Sequence, residues 1–272
     1  MIPAAMDYVR ADSAEAAVAA LAEHGEEAKL LAGGQSLIPL MRLRLATPAV
    51  LVDVGRASDL VGISVDSDTV SIGALTTHSA LEHSTDLATA CPLLAHVASV
   101  VGDPAVRHRG TLGGSLAHAD PASDLPAAVL ALGGTLVVTG PGGTREIAAT
   151  DFFTGFLESA LAADEVLTEV RVPVSTAGWA YQKFNRRAQD WAIVGAVVAE
   201  GGAGVALVNM GSTPLRASAV EAAVASGASA AEAAAGAADG TDPPTDTQAD
   251  AAYREHLARV LTARALTEAG VV

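Results

Sequence analysis

The sequence predicts an α+β fold in two parts, and three observations carry that prediction. Over residues 1–173, strand and helix patterns intermix without the strict alternation expected of a doubly wound parallel sheet. The small polar run Ser175-Thr176-Ala177-Gly178 then follows Pro173 and marks a boundary. Beyond it come three successive strand patterns and a helical tail. The chain has 272 residues, a length near which single cores stop growing, so two units are expected, 1–175 and 176–272. Half of the residues are hydrophobic and only 17% are charged, enough apolar surface to offset the entropy of ordering; a disordered chain is excluded.

Asp12 or Ser13 is placed to cap a helix over 14–24, an alanine-rich run closed by Gly25. Short apolar runs at 29–32 and 50–54 read as strands, and 62–65 with 70–74 flank Asp66-Ser67-Asp68 as a hairpin. Thr76 and Thr77 can cap a short helix through Glu82, Pro92 can open another through Val101, and Pro126 a third through Leu132. Strand patterns return at 135–139, 146–149 and 166–172, and again at 179–184, 192–199 and 204–210. After Pro214 the pattern is helical at 217–225, in the alanine stretch 228–238 and, past a linker at 239–248, at 249–269. In that last helix Tyr253, Leu257, Val260, Leu261 and Leu266 form the expected core-facing stripe.

Composition removes several function classes. The single Cys91 forms no internal disulfide, holds no iron–sulfur cluster and makes no cysteine-based zinc site; it reads as a small buried residue at a helix start. A formal charge of −15 repels phosphate backbones and anionic membrane surfaces, so nucleic acid is not an expected partner. The first ten residues lack a basic stretch followed by an apolar one, so no export signal is read and a cytoplasmic location is expected. Residues 191–208 come nearest to a membrane span, but Glu200 with Gly201, Gly202 and Gly204 suits two strands and a turn, so no transmembrane segment is expected. No Gly-x-Ser-x-Gly elbow or His-Glu-x-x-His motif is present, and His118 with Asp120 lacks a third ligand at sensible spacing, so no metal is assigned.

Three segments could carry chemistry. In Lys29-Leu-Leu-Ala-Gly-Gly-Gln-Ser-Leu37 a strand runs into two glycines, whose bare backbone lets consecutive amides approach an anion such as a pyrophosphate; a tight strand turn would use the same dipeptide. It is neither a Walker loop nor the Gly-x-Gly-x-x-Gly fingerprint. Arg107-His-Arg-Gly-Thr-Leu-Gly-Gly-Ser115 repeats the Gly-Gly-polar turn, with His118, Asp120 and Asp124 close behind; Arg107 and Arg109 would either add positive charge or lie solvated at a loop edge. In Tyr181-Gln-Lys-Phe-Asn-Arg-Arg187, strand alternation puts Tyr181 and Lys183 on one face and Gln182 and Phe184 on the other. The chain has only two lysines, Lys29 and Lys183, and both lie in these segments.

Taken in order, the segments resemble the flavin-binding medium subunit of molybdenum hydroxylases, the group that includes carbon monoxide dehydrogenase and xanthine dehydrogenase. The resemblance is carried by Ala32-Gly-Gly-Gln-Ser-Leu-Ile-Pro-Leu-Met41, Ile72-Gly-Ala-Leu-Thr-Thr-His78, Arg109-Gly-Thr-Leu-Gly-Gly-Ser-Leu-Ala-His-Ala-Asp-Pro-Ala-Ser-Asp-Leu-Pro126, Tyr181-Gln-Lys-Phe-Asn-Arg-Arg with Asp190, and Gly211-Ser-Thr-Pro-Leu-Arg216. It implies a two-lobed FAD-binding domain of the vanillyl-alcohol oxidase type over 1–175. The small C-terminal domain, 176–272, would hold a three-stranded antiparallel sheet and helices. FAD would lie between the lobes, with Leu30, Leu31, Ala32, Gly33, Gly34, Gln35, Ser36 and Leu37, and the backbone of Thr111, Gly113, Gly114 and Ser115, around its pyrophosphate and ribitol. Thr77 and Gly110 would join the site, Asp124 would bond a sugar or ribitol hydroxyl, and Leu167 would pack near the adenine or ring end. Lys183 would tune the ring electrostatically. No catalytic residue is implied. The resemblance further implies a large partner subunit with a molybdenum-pterin centre and a small one with two [2Fe-2S] clusters, assembled as a dimer of heterotrimers, with electrons reaching FAD and then an external acceptor. A standalone FAD-dependent oxidoreductase and an assembly module without flavin are the competing readings; the substrate and the terminal acceptor are not written in this chain.

Overall fold

The computed structural model describes residues 2–272. Its first lobe comprises β1 (Asp7–Arg10), α1 (Ala14–His24), β2 (Ala28–Leu31), α2 (Leu37–Leu43) and β3 (Val50–Asp53), with the strands paired in parallel in the order β1-β3-β2. Ser13, not Asp12, caps α1 by accepting from the Ala16 N–H, and Gly25 ends it at φ 57°. Ala17, Val18 and Leu21 of α1 close over Val50 and Val52 to form a small core.

The second lobe begins with the predicted hairpin, β4 (Ile63–Val65) and β5 (Thr69–Gly73). Six short helices follow: α3 (His78–His83), α4 (Thr85–Ala90), α5 (Pro92–Ser99), α6 (Pro104–Arg109), α7 (Leu112–His118) and α8 (Asp124–Ala131). Then come β6 (Thr135–Gly140), β7 (Gly143–Ala148), α9 (Ala149–Phe152), the clip β8 (Phe153–Gly155) and β9 (Glu158–Ser159), and β10 (Val166–Pro173). An antiparallel five-stranded sheet, β4-β5-β10-β6-β7, backs the helices. Several of these helices go beyond the predicted elements. Pro126 lies inside α8 rather than opening it, because a proline in a first turn removes an N–H that has no helical partner; Pro39 of α2 is accommodated in the same way. Cys91 is buried at the start of α5, and burial pushes its thiol up to about 11.

The C-terminal part contains β11 (Ala180–Phe184), β12 (Val194–Ala199) and β13 (Gly204–Val208) in an antiparallel sheet, extended at its edge by the two-residue β14 (Leu215–Arg216). Helices α10 (Ser218–Ala225), α11 (Ala230–Ala234) and α12 (Ala251–Glu268) follow. Every residue of β12 and β13 is buried. Val197, Ala199, Ala206 and Val208 join the core of the second lobe, while Val194, Ala196, Val198, Val205 and Leu207 join a separate core under α12. The apolar run 191–208 is thus a pair of strands buried on both faces, and no helix among the described residues is long and apolar enough to cross a membrane.

The α12 stripe differs from expectation. Leu257, Leu261 and Leu266 face the core, but Tyr253 is 44% exposed and Val260 only half-buried. Arg254 takes the interior position instead, fully buried, donating to the Ile193 carbonyl and, at 2.8 Å, to Asp246. It ties α12 to the loop before β12. Arg254→Ala removes both bonds and leaves a void, so it should destabilise the protein by about 3 kcal/mol, measured as the change in urea unfolding free energy; a loss under about 0.5 kcal/mol would refute this role.

Candidate functional site

The two lobes and the start of the C-terminal part enclose a cleft of about 770 Å³, lined by residues of 28–37, 110–118 and 157–167 with Asp124, Lys183 and Trp191, within the size range of sites for cofactors and other ligands. Its floor is set by the two glycine segments. A Cβ on Gly33 would lie 2.1 Å from the Arg109 carbonyl oxygen, so the loops meet at a distance only glycine permits. Gly34 adopts φ 75°, turning the chain into α2.

The two segments do different work. Among the described residues, the backbone N–H groups of Gly33, Gly34, Gln35 and Ser36 have no protein acceptor, and this loop lines the cleft. Consecutive amides without protein partners are the raw material of an anion-binding nest. The second segment is not the loop expected from the sequence: Gly113 and Gly114 lie in the first turn of α7. Its amides are already engaged, Leu112 N–H with the Thr76 carbonyl at 3.0 Å, Gly113 N–H with the Ala74 carbonyl at 2.8 Å and Gly114 N–H with the Thr111 hydroxyl at 3.1 Å. With these three amides taken, the segment contributes a wall of the cleft through Thr111, Gly113, Gly114 and Ser115. A Cβ on Gly113 would come within 2.5 Å of that of Ala74.

Of the predicted site residues, Leu30, Ala32, Gly33, Gly34, Gln35, Ser36, Leu37, Gly110, Thr111, Gly113, Gly114, Ser115, Asp124, Leu167 and Lys183 line the cleft. Leu31 and Thr77 do not. Leu31 packs behind the loop near Gly34, and Thr77 uses its hydroxyl to cap α3. Arg107 pairs with Glu82 at 2.8 Å and donates to the Val101 carbonyl, and neither it nor Arg109 lines the cleft. His118 lies 4.0 Å from Asp120, and no group of three metal-ligating side chains occurs among the described residues.

The electrostatic centre is Asp124, in the first turn of α8 and 5% exposed. One carboxylate oxygen accepts from the Tyr181 hydroxyl, the other from Lys183 Nζ at 2.8 Å, and Lys183 also donates to the Val100 carbonyl at 3.1 Å. Tyr181 and Lys183 thus share a face of β11, while Gln182 reaches Glu268 on the other side. Burial raises the Asp124 pKa, opposed by Lys183 and Tyr181; burial and the Asp124 charge push the Tyr181 phenol well above its usual 10.0.

His78 and Trp191 also line the cleft. Neither was assigned a role from the sequence, although His78 ends the second resemblance motif and Trp191 follows the fourth. Trp191 is 53% exposed at the cleft. His78 is buried; its Nε2 lies 3.1 Å from the Thr111 carbonyl, which fixes that nitrogen as the donor and leaves Nδ1 an acceptor without a protein partner. Burial lowers its pKa from 6.5 to about 4.

Residues 4–175 match the family described as the FAD binding domain in molybdopterin dehydrogenase, and residues 179–269 the CO dehydrogenase flavoprotein C-terminal domain. The carbon monoxide dehydrogenase medium chain of Afipia carboxidovorans is 40% identical over 99% of this chain and 98% of its own. Carbon monoxide dehydrogenase of Hydrogenophaga pseudoflava superposes with a TM-score of 0.93 at 40% identity, covering 99% of this chain and 98% of that one. Quinoline 2-oxidoreductase of Pseudomonas putida 86 does so with a TM-score of 0.91 at 33% identity, covering 99% and 98%.

A histidine held neutral binds its proton more readily unfolded than folded, so the stability present above pH 6.5 should fall as the pH drops toward about 4, by about 3 kcal/mol at the limit. His78→Gln, which keeps a donor for the Thr111 carbonyl, should flatten this dependence in urea unfolding at a series of pH values; an unchanged slope would remove His78 as its source.

Proposed function

The chain belongs to the family of FAD-binding medium subunits of molybdenum-containing hydroxylases, and we propose that it is the electron-transfer link of such a complex. On this reading electrons originate at a molybdenum-pterin centre in a large partner subunit, cross two [2Fe-2S] clusters in a small one, and leave from this chain to an external acceptor. The observation that carries the reading is the free-amide loop at the floor of a cleft of about 770 Å³.

The residues present fit FAD. The N–H groups of Gly33 to Ser36 would receive its pyrophosphate, an anion matched by an uncommitted donor nest. Ser115 and Gln35 would offer side-chain hydrogen bonds along the cleft, and His78 Nδ1 would accept from a cofactor N–H or hydroxyl. Leu167 and Leu37 would supply apolar contact. When bound, FAD supplies a carrier that can exchange electrons with both one-electron and two-electron partners. Lys183 would donate to it while Asp124 compensates the lysine charge, so the cofactor senses an oriented ion pair rather than a bare cation.

The lone, buried Cys91 supports housing the clusters in another chain and needs no oxidising compartment, in keeping with a cytoplasmic assembly. A dimer of heterotrimers is the proposed assembly, with residues 1–175 carrying FAD and 176–272 completing the cleft at Lys183 and Trp191. Substrate choice would rest with the molybdenum subunit, since relatives named for carbon monoxide and for quinoline share this fold.

Gly114→Asp tests the site. Position 114 is the third residue of α7 and lines the cleft; an acidic side chain suits the helix start, and its Cβ would lie 3.8 Å from that of Ala32 and 2.7 Å from the capping Thr111 hydroxyl, which must shift to admit it. FAD retention through gel filtration should fall at least about 100-fold in protein whose melting transition shows that it is still folded, as expected of a carboxylate facing a pyrophosphate; undiminished retention would contradict the placement.

A further inference from the structure

Lys183 is held more closely than a cofactor contact requires. Its ammonium has three N–H groups; one is taken by Asp124 at 2.8 Å and one by the Val100 carbonyl at 3.1 Å, which leaves one on a side chain that lines the cleft. A lysine on its flexible stem would otherwise sample many rotamers, and fixing it on two acceptors removes that freedom before a ligand arrives. Tyr181 does not line the cleft, is 7% exposed, and has Asp124 as the partner of its hydroxyl. Its place in the network therefore has no direct ligand contact to explain it.

We infer that Tyr181 is a positioning residue for the cofactor: by donating to Asp124 from a buried position on β11, it holds the carboxylate that aims the remaining Lys183 N–H into the cleft. The inference rests on the FAD reading above and adds a role for a residue outside the cleft wall. It also gives the C-terminal sheet a direct hold on the cofactor's electrostatics, since β11 supplies both donors to an acid on α8.

The consequence concerns charge. Burial disfavours ionised Asp124, and Lys183 and Tyr181 are the groups that oppose it. Other titratable or charged side chains on elements packed against α8 are engaged elsewhere or turned outward. On α7, His118 lies by Asp120; on α5, His96 packs on Trp179; on β14, Arg216 bonds the Leu130 carbonyl at the opposite end of α8; on α9, Asp151 is exposed. Strands β12 and β13 carry none. Without the tyrosine hydroxyl the carboxylate should take up its proton about one pH unit higher. The Lys183 charge is then uncompensated, and a more positive field raises the midpoint potential of bound FAD.

The test is potentiometric titration of FAD in the protein purified with the subunits it retains, between about pH 4 and about pH 8, a span covering a raised carboxyl pKa. Besides the breaks in potential against pH that reduced flavin and His78 give in every variant, wild type should show one where Asp124 titrates, and that one is followed. Tyr181→Phe should move the break up by about one pH unit, and Asp124→Asn should abolish it. A ring-fluorinated tyrosine at 181, which keeps the shape but donates more strongly, should move it down and serves if the phenylalanine variant does not fold. A break that stays in place in the tyrosine variants while melting temperature falls, or that persists in Asp124→Asn, overturns the proposal. Wild-type protein that takes up no FAD would instead overturn the reading beneath it, and this inference with it.

Discussion

The backbone of Gly33 meets the backbone of Arg109 at a separation that leaves no room for a side-chain carbon. That contact joins the parallel three-stranded lobe to the helical face of the second lobe, and both segments line the cleft beside it. On one side the turn through Gly34 leaves four successive amides without protein acceptors. On the other, the α7 amides are taken by Ala74, Thr76 and Thr111, which locks that helix against the strand leading into α3. One wall therefore has amides without protein acceptors and the other has its amides occupied, a division suited to an extended ligand with a single strongly anionic segment.

The C-terminal sheet completes the site from a third direction. Because β12 and β13 bury both faces, they weld the second lobe to the helical tail, and the edge strand β11 is held in a fixed register against β12. Tyr181 and Lys183 reach Asp124 from that strand. Arg254 works on the same region from behind, bonding the Ile193 carbonyl just past the loop that brings Trp191 to the cleft. The site thus depends on packing that lies well away from it, and the overall charge of −15 sets a repulsive background in which the Lys183–Asp124 pair is locally neutral.

Much of this was legible where the signal is local. Ser13 and Gly25 bracket α1, the polar turn at 66–68 sits in its hairpin, and alternation along β11 separates Lys183 from Gln182. Helices α2, α6 and α7 were not legible, because glycine and proline ordinarily punctuate chains; here Pro39 and Pro104 occupy first turns and Gly113 sits where the second lobe allows only hydrogen. The inward turn of Arg254 depends on a carbonyl 61 positions away, and the partners of Asp124 lie 57 and 59 positions downstream. Such pairings follow from tertiary packing and leave no trace in periodicity. The inequality of the two glycine loops belongs to the same class, since it is decided by what each amide finds across the fold.

FAD content is the most direct measurement of the central claim. The protein is purified under native conditions with the subunits it retains, supplied with excess FAD, desalted, and its subunits are then separated and assayed for flavin by absorbance and fluorescence. The expected result is one FAD for each copy of this chain, with iron and molybdenum fractionating with other chains. Flavin that travels with another subunit, or a chain that stays colourless in the presence of its partners, would contradict it.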